Sequence, residues 1–498
     1  MRPTVPRLLA AGGLCSLALL ALAGCVHNPP EVYGAPGTSP AVETPWTPPP
    51  QATAKVPPAS PPVALPPGIM ERASSLTLAD LVDLALRNSP QTSEAWAQAR
   101  SAAAALGSKR GEYYPTVNIG ANAGRSQGTA ESSTGRISYT IRSYGPTADL
   151  TWLLYDFGGR EAAVEETRQA LFAADWSHNA VIENVILQVQ QAYYQYVTAK
   201  ALLEAQQASY KEAETNLSSA EERHTAGVAT IADVLQARTA LSQVKLTMER
   251  IQGQIQTTKG ALATAVGLPA NTPYDVSFSK EDVKIHATTD AVDKFLGEAQ
   301  ARRPDLAASR SEALKAGAHV KSVKAEGYPS FAATASASRA YFDNRDIYGN
   351  AYNAQIQLRF PLFTGFSHQY DVQQAKADED AAMARLKGLE QLVALEVWSS
   401  YYGLKTAEQQ VATSEELLKS ASESQEVALG RYKAGVGTII DLLSAQSSLA
   451  AARAQRILAY SDWFVALAQL AHDAGTLSPT DDQLKMATPV TVEKESKP

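Results

Sequence analysis

Two hydrophobic periodicities alternate along this chain and predict strands followed by long helices. After Pro115, the apolar residues Val117 and Ile119 alternate with the polar residue Asn118, which is typical of a strand with one apolar and one polar face. The same alternation follows Pro329 and recurs in the segment before each long helix. We therefore predict four strands, at about 115–125, 146–156, 329–342 and 352–363.

A helical periodicity takes over after each pair of strands. Between Gly159 and Arg223 no proline or glycine interrupts the chain. Residues at the spacings of a coiled-coil seam recur within this segment, namely Ile182, Ile186, Val189, Tyr193 and Tyr196. At a rise of 1.5 Å per residue such a helix is about 100 Å long, too long for a globular core. The predicted long helices cover about 158–225, 230–265, 365–431 and 438–471.

The chain contains a twofold internal repeat. The segment Arg223–Asp233 recurs as Arg431–Asp441, 208 residues later, whereas upstream landmarks such as Pro115 and Pro329 are 214 residues apart. We predict that each copy, repeat 1 at 75–272 and repeat 2 at 290–475, is a β-hairpin plus a long coiled-coil helical hairpin. Because loop tips tolerate insertions, the changed offset predicts loops near Gly124 to Gly145 and near Asp343 to Asn350.

The alternating strands have two interpretations. Strands of about ten residues with one apolar face suit a membrane barrel, but a soluble sandwich shows the same alternation. Aromatic residues next to the helices, such as Trp152, Tyr155 and Phe363, favour the membrane interpretation, since such residues form interfacial girdles. Four strands cannot close a bacterial barrel, which needs at least eight, so closure requires an oligomer.

The two ends of the chain have different compositions from its body. Residues 1–24 resemble a signal peptide, and Leu22-Ala-Gly-Cys25 resembles a lipobox, so Cys25 is the predicted lipidation site of a lipoprotein. Residues 25–74 are rich in proline, as expected for an extended tether after the lipid anchor. We predict that residues 476–498 form a mobile tail.

Composition and motifs argue against several functions. The formal net charge of −7 disfavours a nucleic-acid partner, and no segment after the signal reaches 18 uninterrupted apolar residues. The seven histidines are scattered without metal-ligand spacing, and phosphate-binding, dinucleotide-binding and nucleophile motifs are missing. We predict no enzyme activity, no cofactor and no metal site.

The two repeated turns have a local structural explanation that leaves part of their sequence unexplained. Gly227 and Gly435 suit helix C-termini, and Thr230-x-x-Asp233 and its copy Thr438-x-x-Asp441 suit capping boxes. This explanation does not account for the Ala-Gly-Val sequences or for Ile231 and Ile439 at the tip of a rod. Exposed small and apolar residues there would suit a docking surface.

Taken together, these features resemble those of the TolC-like outer-membrane efflux protein family. The resemblance rests on the repeat, on the Tyr-Pro strand entries at Pro115 and Pro329, on the strand-to-helix motifs, and on the two Ala-Gly-Val-x-Thr-Ile-x-Asp tips; it covers about residues 75–475. The lipobox is similar to that of the lipid-anchored branch. The resemblance implies a homotrimer whose 12-stranded β-barrel crosses the outer membrane and continues as a 12-helix α-barrel across the periplasm.

The resemblance also implies partners and sites. Such proteins are passive exit ducts for an inner-membrane pump, reached through a periplasmic adaptor (membrane fusion) protein. The implied periplasmic gate comprises Asp233, Asp441, Ser444 and Gly437; many relatives have a second aspartate where Ser444 stands, and some have an arginine where Gly437 stands. The implied adaptor-docking tips comprise Arg223, Ala226, Gly227, Val228 and Thr230 in repeat 1, and Arg431, Ala434, Gly435, Val436 and Thr438 in repeat 2.

Alternatives stay open at this stage. A periplasmic coiled-coil adaptor or a structural protein without a pore would also have a long helical hairpin, although adaptors usually have one hairpin and this chain predicts two. An exported enzyme is disfavoured by the missing site. The cargo is expected to be small molecules such as drugs and toxic compounds, with a protein secreted by a type I system as the alternative.

Overall fold

The computed structural model describes residues 75–133, 135–277, 291–342 and 347–477. The predicted signal peptide, the lipidation site Cys25, the tether and nearly all of the predicted C-terminal tail lie outside these residues. Twelve elements follow one another in the described part. They are α1 Leu78–Asn88, α2 Pro90–Gly111, β1 Thr116–Ser132, β2 Gly135–Tyr155, α3 Gly159–Thr225, α4 Ile231–Ala265, α5 Val292–Arg302, α6 Pro304–Ala325, β3 Ser330–Phe342, β4 Tyr348–Arg359, α7 Ser367–Lys433 and α8 Ile439–Asp473.

The internal repeat is confirmed as a repeat of elements. Each copy has two shorter helices, a β-hairpin, a helix of 67 residues and a returning helix of 35 residues. The predicted fold class, mainly α with a β part in which each copy joins a β-hairpin to a long helical hairpin, is therefore confirmed. Among the described residues, no helix combines the length and the apolar character that a membrane crossing requires.

The four strands form one antiparallel sheet in the order β1-β2-β3-β4. The register places Val117, Leu150, Ala335 and Ala354 beside one another on one face, which we call face A. The next row, Asn118, Asp149, Ser336 and Asn353, lies on the opposite face, which we call face B. One apolar and one polar face thus run across both hairpins in this part of the sheet.

The first hairpin corrects the predicted strand ends. Strand β1 continues to Ser132 and β2 begins at Gly135, so most of the predicted loop from Gly124 to Gly145 is strand. The upper part of β1 is rich in glycine, serine and threonine, which reads as a loop in sequence. Its backbone nevertheless pairs with β2 without interruption, because pairing requires backbone groups and not an apolar side chain.

The second hairpin differs in the opposite direction. Strand β4 begins at Tyr348 and ends at Arg359, several residues before the predicted end at 363. Pro361 follows closely and has no N–H to donate to a ladder, which explains the early end. The hairpin tip predicted near Asp343 to Asn350 is shorter, since Phe342 N–H donates to Ile347 O across it, and residues 343–346 lie outside the described residues.

Strand-to-helix junctions in the two copies share a left-handed backbone. Phe157 and Phe366 have φ of 53° and 67°, although non-glycine residues rarely adopt positive φ. In the first copy Arg160 stabilises the junction by donating to the carbonyl oxygens of Leu153, at 2.7 Å, and Glu112, at 3.2 Å. The junctions therefore redirect the chain from the sheet into the long helices at equivalent places.

The main apolar core lies about halfway along the long helices. The predicted seam residues Val189, Tyr193 and Tyr196 are buried there, together with Leu84 of α1 and Leu262 of α4. Smaller clusters pack α5 and α6 against α7, and α7 against α8. Next to the sheet, the helices pack side by side in the order α2, α3, α6, α7. Nearer the tips, the order is α4, α3, α8, α7.

Candidate functional site at the helical tips

The turns between the long helices have nearly the same geometry in the two copies. Gly227 and Gly435 have φ of 77° and 74°, a left-handed conformation that favours glycine. The N–H groups of Val228 and Val436 donate back to the carbonyl oxygens of Arg223 and Arg431, at 2.9 and 3.0 Å. The shared shape of the repeat is therefore explained by helix termination in each tip.

Both aspartates of the predicted gate cap the returning helices. The Asp233 carboxylate accepts from Thr230 N–H at 2.8 Å and from its hydroxyl at 2.9 Å, and Asp441 accepts from Thr438 N–H at 3.2 Å. Hydrogen bonds from the Thr438 side chain and backbone, with a smaller effect of the positive charge of Arg431, hold the pKa of Asp441 below its ordinary value. The Asp441 carboxylate is fully exposed and therefore carries its charge at neutral pH.

The apolar residues of the tips divide into an exposed and a buried set. Val228 and Val436 are 65% and 70% exposed, and Ile231 is also exposed. Ile439, expected at the exposed tip by analogy with Ile231, is instead 3% exposed and packs with Leu442. The neighbouring Ile440 is exposed in its place, so each tip still presents apolar side chains to its surroundings.

The second tip brings three of the predicted gate residues onto one groove. Gly437, Asp441 and Ser444 line a groove of about 620 Å³ together with Arg431. A Cβ on Gly437 would lie 3.0 Å from the Arg431 Cβ and 3.2 Å from its backbone, so this turn accommodates glycine more readily than arginine. Asp233, the remaining predicted gate residue, lies on the first hairpin at the start of α4.

Several contacts between the two hairpins are not predictable from the sequence, because they join positions more than 200 residues apart. The Arg223 guanidinium lies over the Tyr432 ring at 4.9 Å. The Arg453 guanidinium donates twice to one Glu212 carboxylate oxygen, at 3.0 Å, and the Asn216 amide donates to Gln446. These contacts join α3 to the second hairpin near the tips, and only the repeat of Arg223 gave a signal for any of them.

A charged cluster lies near the middle of the long helices. Arg303, 7% exposed, donates to Asp305 and Glu396, each at 2.6 Å, and Glu183 of α3 lies beside it with His472 and Asp473 of α8. Burial raises the pKa of Glu183 from 4.5 to about 7. No group of three potential metal ligands occurs among the described residues. The ion pairs of the cluster lie within repeat 2, and a hydrogen bond of 3.0 Å between His472 and Asn184 of α3 connects the cluster to repeat 1.

Comparison with known proteins identifies the class of protein that this fold and these tips define. The sequence profile of the outer membrane efflux protein family matches residues 81–268 and 295–476, most of both repeats. The chain therefore belongs to the outer membrane efflux protein family. It is an outer-membrane efflux component.

Individual relatives agree with this assignment. The chain is 29% identical over 414 residues to Protein CyaE of Bordetella pertussis, covering 82% of this chain and 84% of that protein. It is 24% identical over 382 residues to outer membrane protein OprJ of Pseudomonas aeruginosa, with 74% and 78% covered. The fold is similar to that of the outer membrane protein VceC of Vibrio cholerae, with a TM-score of 0.69, 22% identity, and 80% and 96% covered.

Proposed function

We propose that three copies of this chain form a closed channel through which an inner-membrane pump, engaged by a periplasmic adaptor protein, exports small molecules across the outer membrane. The observation that carries this proposal is the pair of open edges of the protomer. Strands β1 and β4 end the sheet on opposite sides, and within the described residues neither has a strand partner on its outer side. Because long open edges invite pairing, each edge requires a cover.

The two edges are complementary. Strands alternate in direction through the sheet, so β4 of one protomer would meet β1 of the next in antiparallel orientation. Three protomers supply twelve strands, enough to close a ring without a free edge, whereas one protomer supplies four. Closure would place face A toward lipid and face B toward the lumen, because face A is the apolar face in the part of the sheet that lies next to the helices.

Helix α7 carries a matching unpartnered surface. Leu392, Leu395, Trp398 and Tyr402 recur every three or four residues along one stripe of the helix, and each is about half exposed. Among the described helices, α7 is also the last one on its side of the protomer, both near the sheet and near the tips. A neighbouring protomer beside α7 would bury this stripe and continue the ring of helices below the sheet.

The tips support docking of the adaptor. Val228 and Val436 stand exposed beside turns of the same shape, so one kind of partner surface would fit both. The predicted docking residues Arg223, Thr230, Arg431 and Thr438 flank these turns. Contacts that favour an open arrangement of the hairpins over the closed one would open the channel by a population shift.

Small molecules are the proposed cargo because of the names of relatives. Similar proteins from Pseudomonas putida are named as the outer membrane proteins of an antibiotic efflux pump and of a toluene efflux pump, at 23% and 22% identity. The proposed lipid anchor at Cys25 would add to the hold on the outer membrane, as in the lipid-anchored branch.

The experiment is deletion of the gene followed by complementation with the intact chain and with a Cys25→Ala variant. We expect the intact chain to restore resistance to antibiotics and toluene and to run as a trimer that dissociates only on heating, in the outer-membrane fraction. Cys25→Ala should lose labelling by radioactive palmitate. A chain that stays monomeric, or is found only in the periplasm, would contradict the channel proposal.

The gate role of Asp441 is a separate part of the proposal. Three copies of an exposed carboxylate around the lumen would attract cations, and Asp441→Ala should lower single-channel cation selectivity and weaken block by divalent or trivalent cations. Asp441→Asn keeps a side-chain oxygen that can accept the capping hydrogen bonds and removes only the charge, so it should have the same effect if the charge attracts the cations. If Asp441→Ala leaves conductance and cation block unchanged, Asp441 is a helix cap alone.

A further inference from the structure

The first β-hairpin extends well beyond the second. Pairing between β2 and β3 ends at Ser143 and Phe342, whereas β1 and β2 remain paired up to Ser132 and Gly135. The part above this level, residues 124–132 and 135–143, is a two-stranded ribbon that we call the outer ribbon. Nine residues at about 3.3 Å each give it a length of roughly 30 Å.

The outer ribbon begins where the apolar band of the sheet ends. On face A, the β2 residues Tyr144, Pro146, Ala148, Leu150 and Trp152 form an unbroken apolar run, whereas Arg339 interrupts the run on β3. The run on β2 is about 26 Å long, or about 20 Å along the membrane normal at a tilt of about 40°. This is close to the height of about 25 Å that the apolar band of an outer-membrane barrel has. The rings of Tyr144, Tyr341 and Tyr348 pack together at its upper end, with successive centroids 5.6 and 6.2 Å apart. An aromatic girdle of this kind is typical of the interface with water.

Above the girdle, the chemistry of the two faces is reversed. The register has no shift along the first hairpin, so face A continues as Arg125 opposite Arg142 and ends with Glu131 opposite Arg136. Face B continues on β2 as Ile141, Tyr139 and Ile137, which lie opposite Ser126, Gly128 and Ala130 of β1. The side that is polar inside the sheet is therefore apolar in the outer ribbon.

The apolar stripe of face B is exposed in the protomer. Ile137, Tyr139 and Ile141 are 50%, 45% and 39% exposed. Tyr139 lies over Gly128, where a Cβ would come within 2.8 Å of the tyrosine oxygen, so the glycine makes room for the ring. The residues beside the stripe on β1 are small and uncharged. Exposing this apolar stripe to water is unfavourable, and the outer ribbon already has a solvated surface in the charged face A.

We propose that the apolar stripes of three outer ribbons pack against one another on the channel axis and narrow the extracellular mouth. This inference rests on the proposed trimer with face B toward the lumen. Threefold symmetry then gives each stripe the same neighbours, namely the stripes of the two other copies. Face B of the outer ribbon carries no charged residue at its described positions, so no like charges oppose their approach.

The dimensions permit this contact. Twelve strands about 4.8 Å apart and tilted by about 40° enclose a ring of roughly 12 Å radius. Tyr139 pairs with Gly128, about 13 Å along the strand above Gly124. An inward lean of roughly 25° over that length moves the ribbon about 5 Å toward the axis, and inward-pointing tyrosine side chains would span roughly the remaining 6 to 7 Å. Two-stranded ribbons, which have little rigidity of their own, bend readily.

Disulfide cross-linking tests the position of the stripe. In the full-length chain, Tyr139→Cys should give a disulfide-linked dimer under mild oxidation, because three thiols would meet at the axis. Thr140→Cys, one residue further on and on face A, is the matched control and should give at least tenfold less dimer. Ile141→Cys serves as a second probe of the stripe if Tyr139→Cys assembles poorly.

Access to the lumen tests the consequence. Thr147 lies on face B below the girdle. In whole cells, a thiol at Thr147→Cys should react with a bulky, membrane-impermeant maleimide at least tenfold faster once Ile137, Tyr139 and Ile141 are all replaced by serine. The same labelling with Ser138 and Thr140, on face A, replaced by alanine should show no such increase.

The outcomes separate the two levels of the proposal. Loss of heat-resistant trimers in every cysteine variant, and their absence in the unaltered chain, would overturn the trimer itself. Trimers that persist while Tyr139→Cys and Ile141→Cys fail to cross-link, or while Thr147→Cys labels equally fast with and without the stripe, would overturn only the closure of the mouth.

Discussion

The face of α3 that packs on the second hairpin and the corresponding face of α7 have the same backbone and different side chains. On α3, Glu212 binds Arg453 and Asn216 binds Gln446. On α7, the equivalent positions, 208 residues later, are Ser420 and Ser424, which line the open groove of the second tip. The protomer therefore has a face on α3 that is hydrogen-bonded to the second hairpin, which we call the bonded face. The equivalent face on α7 has weaker polar groups.

The comparison extends to the partners that this second face would meet. In the proposed trimer, α4 of the next protomer would lie against α7 as α8 lies against α3. The residues of α4 equivalent to Arg453 and Gln446 are Lys245 and Arg238, and Arg238 is bound to Glu221 of its own hairpin at 3.0 Å. The two hairpins thus resemble each other in shape, but the contacts, or joints, between neighbouring hairpins at the tips would differ in strength. The joint between α3 and α8 inside the protomer would be stronger than the joint between α7 and α4 of the next protomer.

The largest effect is expected from the glycines that the tips share. A leucine at Gly435 or Gly227 requires a left-handed backbone, which costs about 1–2 kcal/mol, and adds bulk beside the exposed valines. We expect Gly435→Leu to reduce export at least tenfold while trimers persist. Gly227→Leu has the same local cost, so the ratio of the two effects measures how unequally the tips engage the adaptor.

A control for the glycine experiment lies within α7. Gly430 is helical, and apart from its chain neighbours and its own helix backbone no atom lies within 4 Å of the position of an added Cβ, so Gly430→Ala should leave export unchanged. Loss of the trimer in Gly435→Leu would assign this turn to folding instead of docking.

The middle cluster offers the second test, because only one copy has the charges. Glu183 corresponds to Gln391, and its raised pKa means that the folded state favours the neutral acid. Because the folded state disfavours the ionised carboxylate, the free energy of unfolding is highest below pH 4.5 and falls as the pH rises toward 7 and above. The loss amounts to roughly 3 kcal/mol by pH 8. We expect Glu183→Gln to remove this decline, as measured by the dissociation temperature of the trimer between pH 5 and pH 8.

The comparison variant for that test is Glu396→Gln. This change leaves the buried Arg303 with one partner fewer and should lower the dissociation temperature at all pH values in the range. If Glu183→Gln retains the pH dependence of the unaltered chain, the raised pKa is not the cause of that dependence.

A third prediction weakens the bonded face. Arg453→Met removes two hydrogen bonds to Glu212 and retains much of the packing, and a partly exposed ion pair contributes about 1 kcal/mol. We expect several-fold more frequent channel opening in planar bilayers. Lys245→Met is the matched control on α4. An equal effect of the two changes would contradict the difference between the joints.

The smallest effect concerns the aromatic contact at the tip. The Tyr432 Oη is buried, and no hydrogen-bond partner for it occurs among the described residues, while its ring supports Arg223. Tyr432→Phe keeps the ring and removes the unsatisfied hydroxyl, so stability should be unchanged or higher by up to about 1 kcal/mol. A clear loss of stability, measured by heat dissociation of the trimer, would indicate that the hydroxyl is bonded in the assembly.

The sequence predicted the elements well because their periodicities are local. The seam of Val189 and Tyr193 predicted α3, and the threonine–aspartate pairs predicted both caps, since helix patterns and capping boxes involve residues a few positions apart. The extension of β1 beyond Gly124 was not predicted, because polar strands have no distinctive pattern. Nor were the pairs Glu212–Arg453 and Arg303–Glu396, which depend on the packing of distant segments. The gate roles of Asp233, Asp441, Ser444 and Gly437 remain predictions.

The equal lengths of the helices in the two copies also constrain how this protein can change over generations. Both outgoing helices have 67 residues and both returning helices have 35. Inserting one residue into α3 alone would rotate everything beyond it by about 100° and shift it by 1.5 Å relative to α7. A change in the distance that the helical hairpins span must therefore add or remove whole heptads in both copies together. The duplication thus links the helix length of each half to that of the other.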